Sequence, residues 1–369
     1  MKKVNITITI ILALVVVTKG ERIGSFSDAY FKTPILRVDD TQFYIVDQEL
    51  KKGFIYDRAS FKKVAEFGES GQGPGEFGGI SGFTVDNKYL YVTNFPRLSI
   101  FSKKGKLIRE INLKIFTGPL VPIGKCFIGY RFSRRTHSDD LVKIQFSLYN
   151  SNLKKRKDIF FTEIEKFSDV RRGKRIIYMI RDCAESFVYK ERIYIGTTEK
   201  GFYFSVFDKN GNKLYEIKRK VKSIKIPEVA KKKMISRMRK NMGDAKWNQV
   251  EVIIRDYLPA YKAFFVSDDK IFVFRYPQKN YEIFILDLEG NLLKKKYITY
   301  TALYKISSRY SCMYNGKLYN MIDMHNYWDL IETDIWNYDA SREESKFIKP
   351  ARELYSKFIN YIKRIFFFL

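Results

Sequence analysis

Side chains that commonly carry out catalysis are few in this chain and form no recognisable active-site motif. The sequence has two histidines, His137 and His325, and three cysteines, Cys126, Cys183 and Cys312. No pair of them has the spacing of a zinc site, and two histidines leave little for general acid–base chemistry. The cysteines allow at most one disulfide, so we interpret them as core residues of a chain without a disulfide framework. The sequence therefore predicts no catalytic, cofactor-binding or metal-binding residue.

Two local clusters of titratable side chains remain to be interpreted. One is Asp139 with Asp140, and the other is Asp323 with His325. Both lie in stretches typical of solvated turns. For His325 a second interpretation is a half-buried structural histidine, because Tyr327 and Trp328 follow it.

A glycine-rich loop between residues 67 and 78 resembles two nucleotide-binding motifs only in part. Gly73, Gly75 and Gly78 have the spacing of a dinucleotide-binding loop, and Gly68 with Gly73 has the spacing of half a P-loop. The first motif needs a helix directly afterwards, and the second needs Lys and then Ser or Thr after its last glycine. Pro74 and Gly75 stand there instead, so neither motif is predicted.

The first 20 residues have the pattern of a secretory signal peptide. Met1 and two lysines precede an apolar stretch from Val4 to Val17, and small residues at Thr18 and Gly20 fit cleavage near Gly20. The apolar stretch is shorter than the roughly 20 residues of a transmembrane helix. An uncleaved anchor is the alternative. We therefore predict an exported protein that is periplasmic or extracellular.

The chain is strongly basic. Its 68 Lys and Arg against 41 Asp and Glu give a formal net charge of +27. Such a charge attracts nucleic acids, polyanionic glycans or acidic lipid headgroups. Because the lysines are spread along the chain, we interpret most of them as a solvated surface. Export argues against nucleic acid as the partner.

The composition indicates an all-β chain with an internal repeat. Aromatic residues make up 16% of the chain, with 26 Tyr and 31 Phe, and aromatic side chains are favoured in strands. A short unit recurs in which an apolar residue is followed five positions later by a triplet that is apolar, aromatic and apolar. A period of roughly 40 to 50 residues is typical of propellers. The copies start at Val38, Val85, Val188 and Val266, with a weaker copy at Met313.

Each copy predicts a β-hairpin, because turn-forming residues separate its two apolar parts. A second set of tight turns at Gly105, Gly211 and Gly290 joins two further alternating strands. A unit of four antiparallel strands is a propeller blade, and six units fit between residues 25 and 335. The degenerate third unit is predicted to use 126–130 and 141–149 as strands. We expect the ring to close by pairing of residues 23–31 with the strands around Met321 and Ile331, since closure removes unpaired edges.

Two segments have helical patterns instead. Over residues 227–258, Pro227 and apolar residues at three- and four-residue steps predict a helical hairpin broken near Gly243, inserted into the propeller. Residues 336–369 are predicted to be a linker and an amphipathic helix that ends with the chain. That helix either packs on the propeller or binds an acidic membrane surface.

The stretch from Phe67 to Phe77, with Gly82 to Asp86, Leu90 to Val92 and Phe101, resembles one repeat of NHL-repeat proteins. The family usually has Pro near Ile80 and Asp at the position of Asn94. The resemblance therefore covers one repeat well and extends otherwise to the broader NHL and TolB-like superfamily. The chain thus resembles an exported bacterial six-bladed β-propeller. The patterns described above divide it into 1–20 as signal peptide, 21–335 as propeller and 336–369 as linker and amphipathic helix.

Members of this superfamily include binders of protein, glycan and RNA, together with a few lyases and lactonases. Because no catalytic residue is predicted, we expect a non-catalytic binding or scaffold propeller. It would engage a protein, glycan or small ligand on its face or in its central channel. The alternative is a metal-dependent hydrolase or lyase of the lactonase kind. Only that alternative requires a cofactor, a divalent metal in the channel.

Overall fold

Six four-stranded antiparallel sheets form a six-bladed β-propeller in the computed structural model. A further three-stranded sheet lies outside this ring of blades. The structure describes residues 21–27, 30–114, 118–133, 141–166, 168–171, 174–277, 280–299, 306–324 and 327–338.

The strands are short and follow one another in chain order within each blade. Blade 6 is completed by the first strand, β1 (Glu21–Phe26). Blade 1 contains β2 (Pro34–Val38), β3 (Gln42–Asp47), β4 (Lys52–Asp57) and β5 (Lys63–Phe67). Blade 2 contains β6 (Gly79–Val85), β7 (Tyr89–Phe95), β8 (Arg97–Ser102) and β9 (Leu107–Asn112). Blade 3 contains β10 (Val121–Ile123), β11 (Cys126–Ser133), β12 (Leu141–Tyr149) and β13 (Lys155–Glu165). The extra sheet begins with β14 (Ser168–Arg171) and β15 (Lys174–Tyr178). Blade 4 contains β16 (Ala184–Tyr189), β17 (Arg192–Thr197), β18 (Phe202–Asp208) and β19 (Lys213–Arg219). Helices α1 (Glu228–Met242) and α2 (Asp244–Trp247) follow, and then β20 (Val250–Ile253), the third strand of the extra sheet.

Blade 5 contains β21 (Ala263–Ser267), β22 (Lys270–Phe274), β23 (Asn280–Asp287) and β24 (Leu292–Thr299). Blade 6 contains β25 (Ser311–Tyr314), β26 (Lys317–Asp323) and β27 (Trp328–Asp334) in addition to β1.

The ring closes through the first strand of the described chain. β1 pairs antiparallel with β27 and supplies the outermost strand of blade 6. Trp328 Nε1 donates a hydrogen bond of 2.8 Å to the Phe31 carbonyl, and Arg22 forms an ion pair of 2.9 Å with Asp329. The predicted closure is thus confirmed, and so are the predicted strands of the degenerate third unit.

Apolar side chains fill the spaces between neighbouring blades. Within the described residues there are six buried clusters, one for each pair of adjacent blades. On β3, Phe43 and Ile45 pack toward blade 6, whereas Tyr44 and Val46 pack toward blade 2. This alternation follows from the two-residue period of a strand, and it explains why strands buried on both sides are almost wholly apolar.

The tight turns have the backbone geometry that the sequence predicts. Gly105, Gly211 and Gly290 have φ of 80°, 76° and 94°, a left-handed region that favours glycine. In the hairpins of blades 1 and 2, the Asp39 and Asp86 carboxylates accept hydrogen bonds from backbone N–H groups two and three residues later. These aspartates therefore hold the turns from within.

The predicted helical hairpin is wrong in its second half. α1 spans 15 residues, but α2 has four, and β20 then forms a parallel strand pair with β15. The segment from Val250 to Ile253 alternates half-buried and exposed residues. In so short a run, apolar residues fit a helical and a strand period equally well, and pairing with β15 selects the strand. α1 buries none of its residues.

Two other predicted segments lie outside the described residues, the signal peptide over 1–20 and the helix in the tail beyond residue 338. Within the described chain, no helix combines the length and the apolar character needed to cross a membrane.

Candidate functional site

Three residues from three different blades meet at the centre of the propeller. The innermost strands enclose the central channel, and contacts run from each to the next in the order β6, β2, β25, β21, β16 and β10. Glu185 lies on β16 of blade 4, Ser308 precedes β25 of blade 6, and Arg37 lies on β2 of blade 1. Ser308 Oγ donates a hydrogen bond of 2.8 Å to Glu185 Oε1. Arg37 Nη1 donates one of 3.0 Å to the Ser308 carbonyl.

The backbone holds this arrangement in place. The Leu36 N–H donates to the Arg309 carbonyl at 2.9 Å, so β2 is joined directly to the turn that carries Ser308. Within that turn, the Ser311 N–H donates to the Ser307 carbonyl at 2.9 Å. Because blade 5 separates blades 4 and 6, the contact between Ser308 and Glu185 bridges non-adjacent blades.

The Glu185 carboxylate is only half satisfied. Its Oε2 atom is buried and has no hydrogen-bond partner among the described residues. Burial raises the pKa of Glu185, and this effect is opposed by the Ser308 hydrogen bond and by the charges of Arg37 and Arg309. Burial likewise lowers the pKa of the Arg37 guanidinium. The channel therefore holds Glu185 and Arg37 in surroundings that penalise charge, with the exposed Arg309 close by.

Tyr130 of blade 3 lies near the same groups. Burial, and next the Glu185 charge, raise the pKa of its hydroxyl, while Arg309 opposes the shift. Its ring packs against Phe132 and Phe146 with centroid distances of 5.5 Å in both pairs. Tyr130 thus adds a firmly packed aromatic ring to the polar groups of the channel.

A second polar network joins the extra segment to blade 4. Arg255 Nη2 lies 2.9 Å from Asp182 and 3.2 Å from Glu165, and Thr198 Oγ1 donates to Asp182 at 2.8 Å. Burial raises the pKa of the neighbouring Cys183 to about 12. A thiol that stays protonated at neutral pH is a poor nucleophile, so this network is suited to holding the segment in place.

A cleft of about 390 Å³ opens where the segment after blade 4 meets blade 5. Arg275 lies in its wall, with Nη1 2.7 Å from Glu282 and Nε donating to the Ala260 carbonyl at 3.2 Å. Tyr297 donates to the same Glu282 at 3.3 Å. These groups already satisfy one another, and none of the described residues that line the cleft has a buried side-chain N or O atom without a partner.

The residues singled out by the sequence do not form a site in the described structure. His137, Asp139, Asp140 and His325 lie outside the described residues, and Asp323 ends β26. The cysteines are all free, with Cys126 and Cys312 buried and Cys183 half-buried. In the part of the chain that the structure describes, no three metal-ligating side chains cluster.

Sequence reasoning missed the central group of Arg37, Glu185 and Ser308. One local signal existed, because a charged residue interrupts the apolar innermost strand in β2 and in β16. A charged residue on an otherwise apolar innermost strand marks a functional or structural polar contact. Ser308 had no such signal, since it lies in a turn with two other serines nearby.

Comparisons with known proteins agree with this fold. A family model described as a 6-bladed beta-propeller matches residues 32–198, which contain blades 1 to 3 and the first half of blade 4. No curated protein matches the chain. Similar solved structures include a protein of Bacteroides fragilis that is described as a candidate exported protein (14% identity, 82% of each chain covered, TM-score 0.49). Another is BamB of Moraxella catarrhalis (10% identity, 81% of this chain and 71% of that chain, TM-score 0.32). Such scores reflect a loose superposition, and no function follows from them. Over residues 32–198 the chain is thus similar in sequence to six-bladed β-propellers, in agreement with the six blades of its own structure.

Proposed function

We propose that this protein is a non-catalytic, exported binding propeller that holds a small ligand in its central channel. The observation that carries the proposal is Glu185 Oε2, a buried acceptor without a partner among the described residues. Leaving such an atom unpaired costs about 1–3 kcal/mol, and native structures rarely keep one without a reason. A ligand that donates a hydrogen bond to Oε2 would remove this cost.

The fold supplies the rigidity that such a site needs. Glu185 and Arg37 lie on strands, and hydrogen bonds fix the Ser308 turn to β2. Sites on rigid elements lose little conformational freedom when a ligand binds. A protein or glycan on the propeller face is the broader form of the same proposal, but the unpartnered acceptor favours a small ligand in the channel.

The charges of the channel favour binding over metal-dependent catalysis. A lactonase-like hydrolase or lyase would hold a divalent cation among several carboxylates. Here Arg37 and Arg309 lie close enough to Glu185 to influence its pKa. Their positive charges would repel a divalent cation, so nothing in the described channel favours the enzymatic alternative.

Membership of the NHL or TolB-like superfamily and export are parts of the same proposal. The glycine-rich loop joins β5 of blade 1 to β6 of blade 2, which is the inter-blade position that the resemblance implies. Cleavage near Gly20 would leave β1, which begins at Glu21, available to close the ring. Fractionation of cells that express the full chain, with N-terminal sequencing of the product, tests export and cleavage together.

The binding role is tested by ligand-induced thermal stabilisation of the chain from Glu21 onward. The probes are a panel of amino acids, short organic acids, monosaccharides and disaccharides. We expect at least one compound to raise the Tm of the unaltered protein and to lose this effect in Glu185→Ala. Glu289→Ala is the control, because Glu289 is an exposed turn carboxylate on blade 5. A complete absence of shifts, or shifts that survive in Glu185→Ala, would refute a channel site.

A further inference from the structure

We infer that the channel ligand is a small organic acid that carries a hydrogen-bond donor close to its carboxylate. This inference rests on the proposed binding role and names the ligand chemistry. It comes from three charged groups in the channel, which are Glu185, Arg37 and Arg309.

The cationic half of the site lacks a carboxylate partner. Arg37 Nη1 donates to two main-chain carbonyls, those of Leu36 and Ser308, at 2.6 and 3.0 Å. No carboxylate in the described structure forms an ion pair with Arg37 or Arg309. The Arg37 guanidinium is half-buried and Glu185 acts on it without a direct ion pair, whereas a carboxylate in contact with it would match its donor geometry. An anionic group on the ligand would supply the direct ion pair that Arg37 lacks, beside the exposed Arg309.

The anionic half of the site needs a donor. Ser308 holds Glu185 Oε1, so the direction of the free Oε2 is set before the ligand arrives. A hydroxyl or an ammonium group can satisfy this oxygen. A ligand without a donor would leave the buried acceptor unpaired and would also place its carboxylate near that of Glu185.

The two halves are close together, since the single residue Ser308 contacts both Arg37 and Glu185. The carboxylate and the donor of the ligand must therefore lie within a few bonds of each other. Amino acids and hydroxy acids, including sugar acids, share this arrangement. With one carboxylate and two guanidinium groups in the channel wall, a monoanion also balances the local charge, which a neutral sugar would not.

Isothermal titration calorimetry with matched compounds tests the inference. L-lactate and L-alanine carry both groups, propionate lacks the donor, and L-lactamide lacks the carboxylate. D-gluconate and sorbitol form a longer pair that differs in the carboxylate alone. In at least one series, we expect the compound with both groups to bind at least tenfold more tightly than its counterpart lacking either. Stronger binding of alanine than lactate would identify an ammonium donor, and the reverse a hydroxyl donor.

Variants assign the two halves separately. Glu185→Gln should reduce lactate or alanine binding to the level of propionate, because the amide no longer offers a charged acceptor. Arg309→Met should bring the affinity for gluconate close to that for sorbitol. Arg192→Met is the matched control, because Arg192 lies on blade 4 and pairs with Glu289 away from the channel. The control should bind as the unaltered protein does.

The outcomes separate this inference from the proposed function. If neutral compounds bind as tightly as the acids and lose affinity in Glu185→Gln, the binding role stands and the organic-acid inference is wrong. If no compound binds in a manner that depends on Glu185, in this set or in the thermal panel, both are wrong.

Discussion

Asp39 provides the sharpest test of how neighbouring blades are held together. Its carboxylate accepts hydrogen bonds from Tyr44 at 2.7 Å and from Lys103 at 2.9 Å. Lys103 belongs to the tight turn of blade 2, and its Nζ lies 4.7 Å from the centre of the Tyr44 ring. Asp39 thus stabilises its own hairpin and also joins blade 1 to blade 2.

The pKa of Asp39 sets the size of the effect. Partial burial raises this pKa, but hydrogen bonds from Lys103, Tyr44 and Thr41 outweigh burial and lower it to about 2. Relative to about 3.9 in the unfolded chain, this is a difference of about 2 units, or at most about 2.5 kcal/mol. Because the side chain is a quarter exposed, we expect about 1–2 kcal/mol. This stability is present above pH 4 and is lost as the pH falls from about 4 to 2.

Asp39→Asn tests this value against Asp86→Asn, a control in the next blade. Asp86 makes the same turn contacts and accepts from Tyr91 at 2.7 Å, but no cation in the described chain pairs with it. Urea unfolding at neutral pH should show a loss for Asp39→Asn that exceeds the loss for Asp86→Asn by about 1 kcal/mol, because the two aspartates share the other contacts and differ in the Lys103 ion pair. The excess should vanish in a Lys103→Met background and should shrink below pH 4. Equal losses for the two variants would refute the cross-blade role of Asp39.

Three further perturbations are expected to have distinct outcomes. Gly68→Ala should destabilise the fold by more than about 2 kcal/mol in urea unfolding, because Gly68 has φ of 68° and a Cβ there would clash with the Phe77 ring. Gly79→Ala is the control and should be near neutral, since a Cβ at Gly79 would have no atom within 4 Å. Trp328→Phe should cost about 1–3 kcal/mol by leaving the Phe31 carbonyl unpaired beside the closing strand, and an unchanged midpoint would contradict that role. Glu185→Gln should have a higher free energy of unfolding than the unaltered protein at pH 8 and a similar one at pH 4. The reason is that burial raises the pKa of Glu185 and penalises its charged form as the pH rises. A difference in the free energy of unfolding that stays constant between pH 4 and pH 8 would contradict this.

Much of the fold could be predicted because its determinants are local. The alternation of apolar residues, the turn aspartates and the glycines with positive φ all act within a few residues of themselves. Ring closure was predictable from a general rule about unpaired strand edges. The segment from Val250 to Ile253 was not, because its short pattern suits two kinds of secondary structure and pairing with β15 decided between them.

The sequence by itself determined the strands of the blades, their turns and the number of blades, since each repeat encodes its own hairpins, but not the strands of the extra sheet. The candidate site was decided by the tertiary structure alone. Arg37 and Ser308 are 271 residues apart, and Ser308 and Glu185 are 123 apart. They meet because ring closure brings three non-adjacent parts of the chain to one channel. No spacing along a single sequence encodes the distance between blades, so a half-satisfied carboxylate becomes recognisable as a site only when the ring is closed.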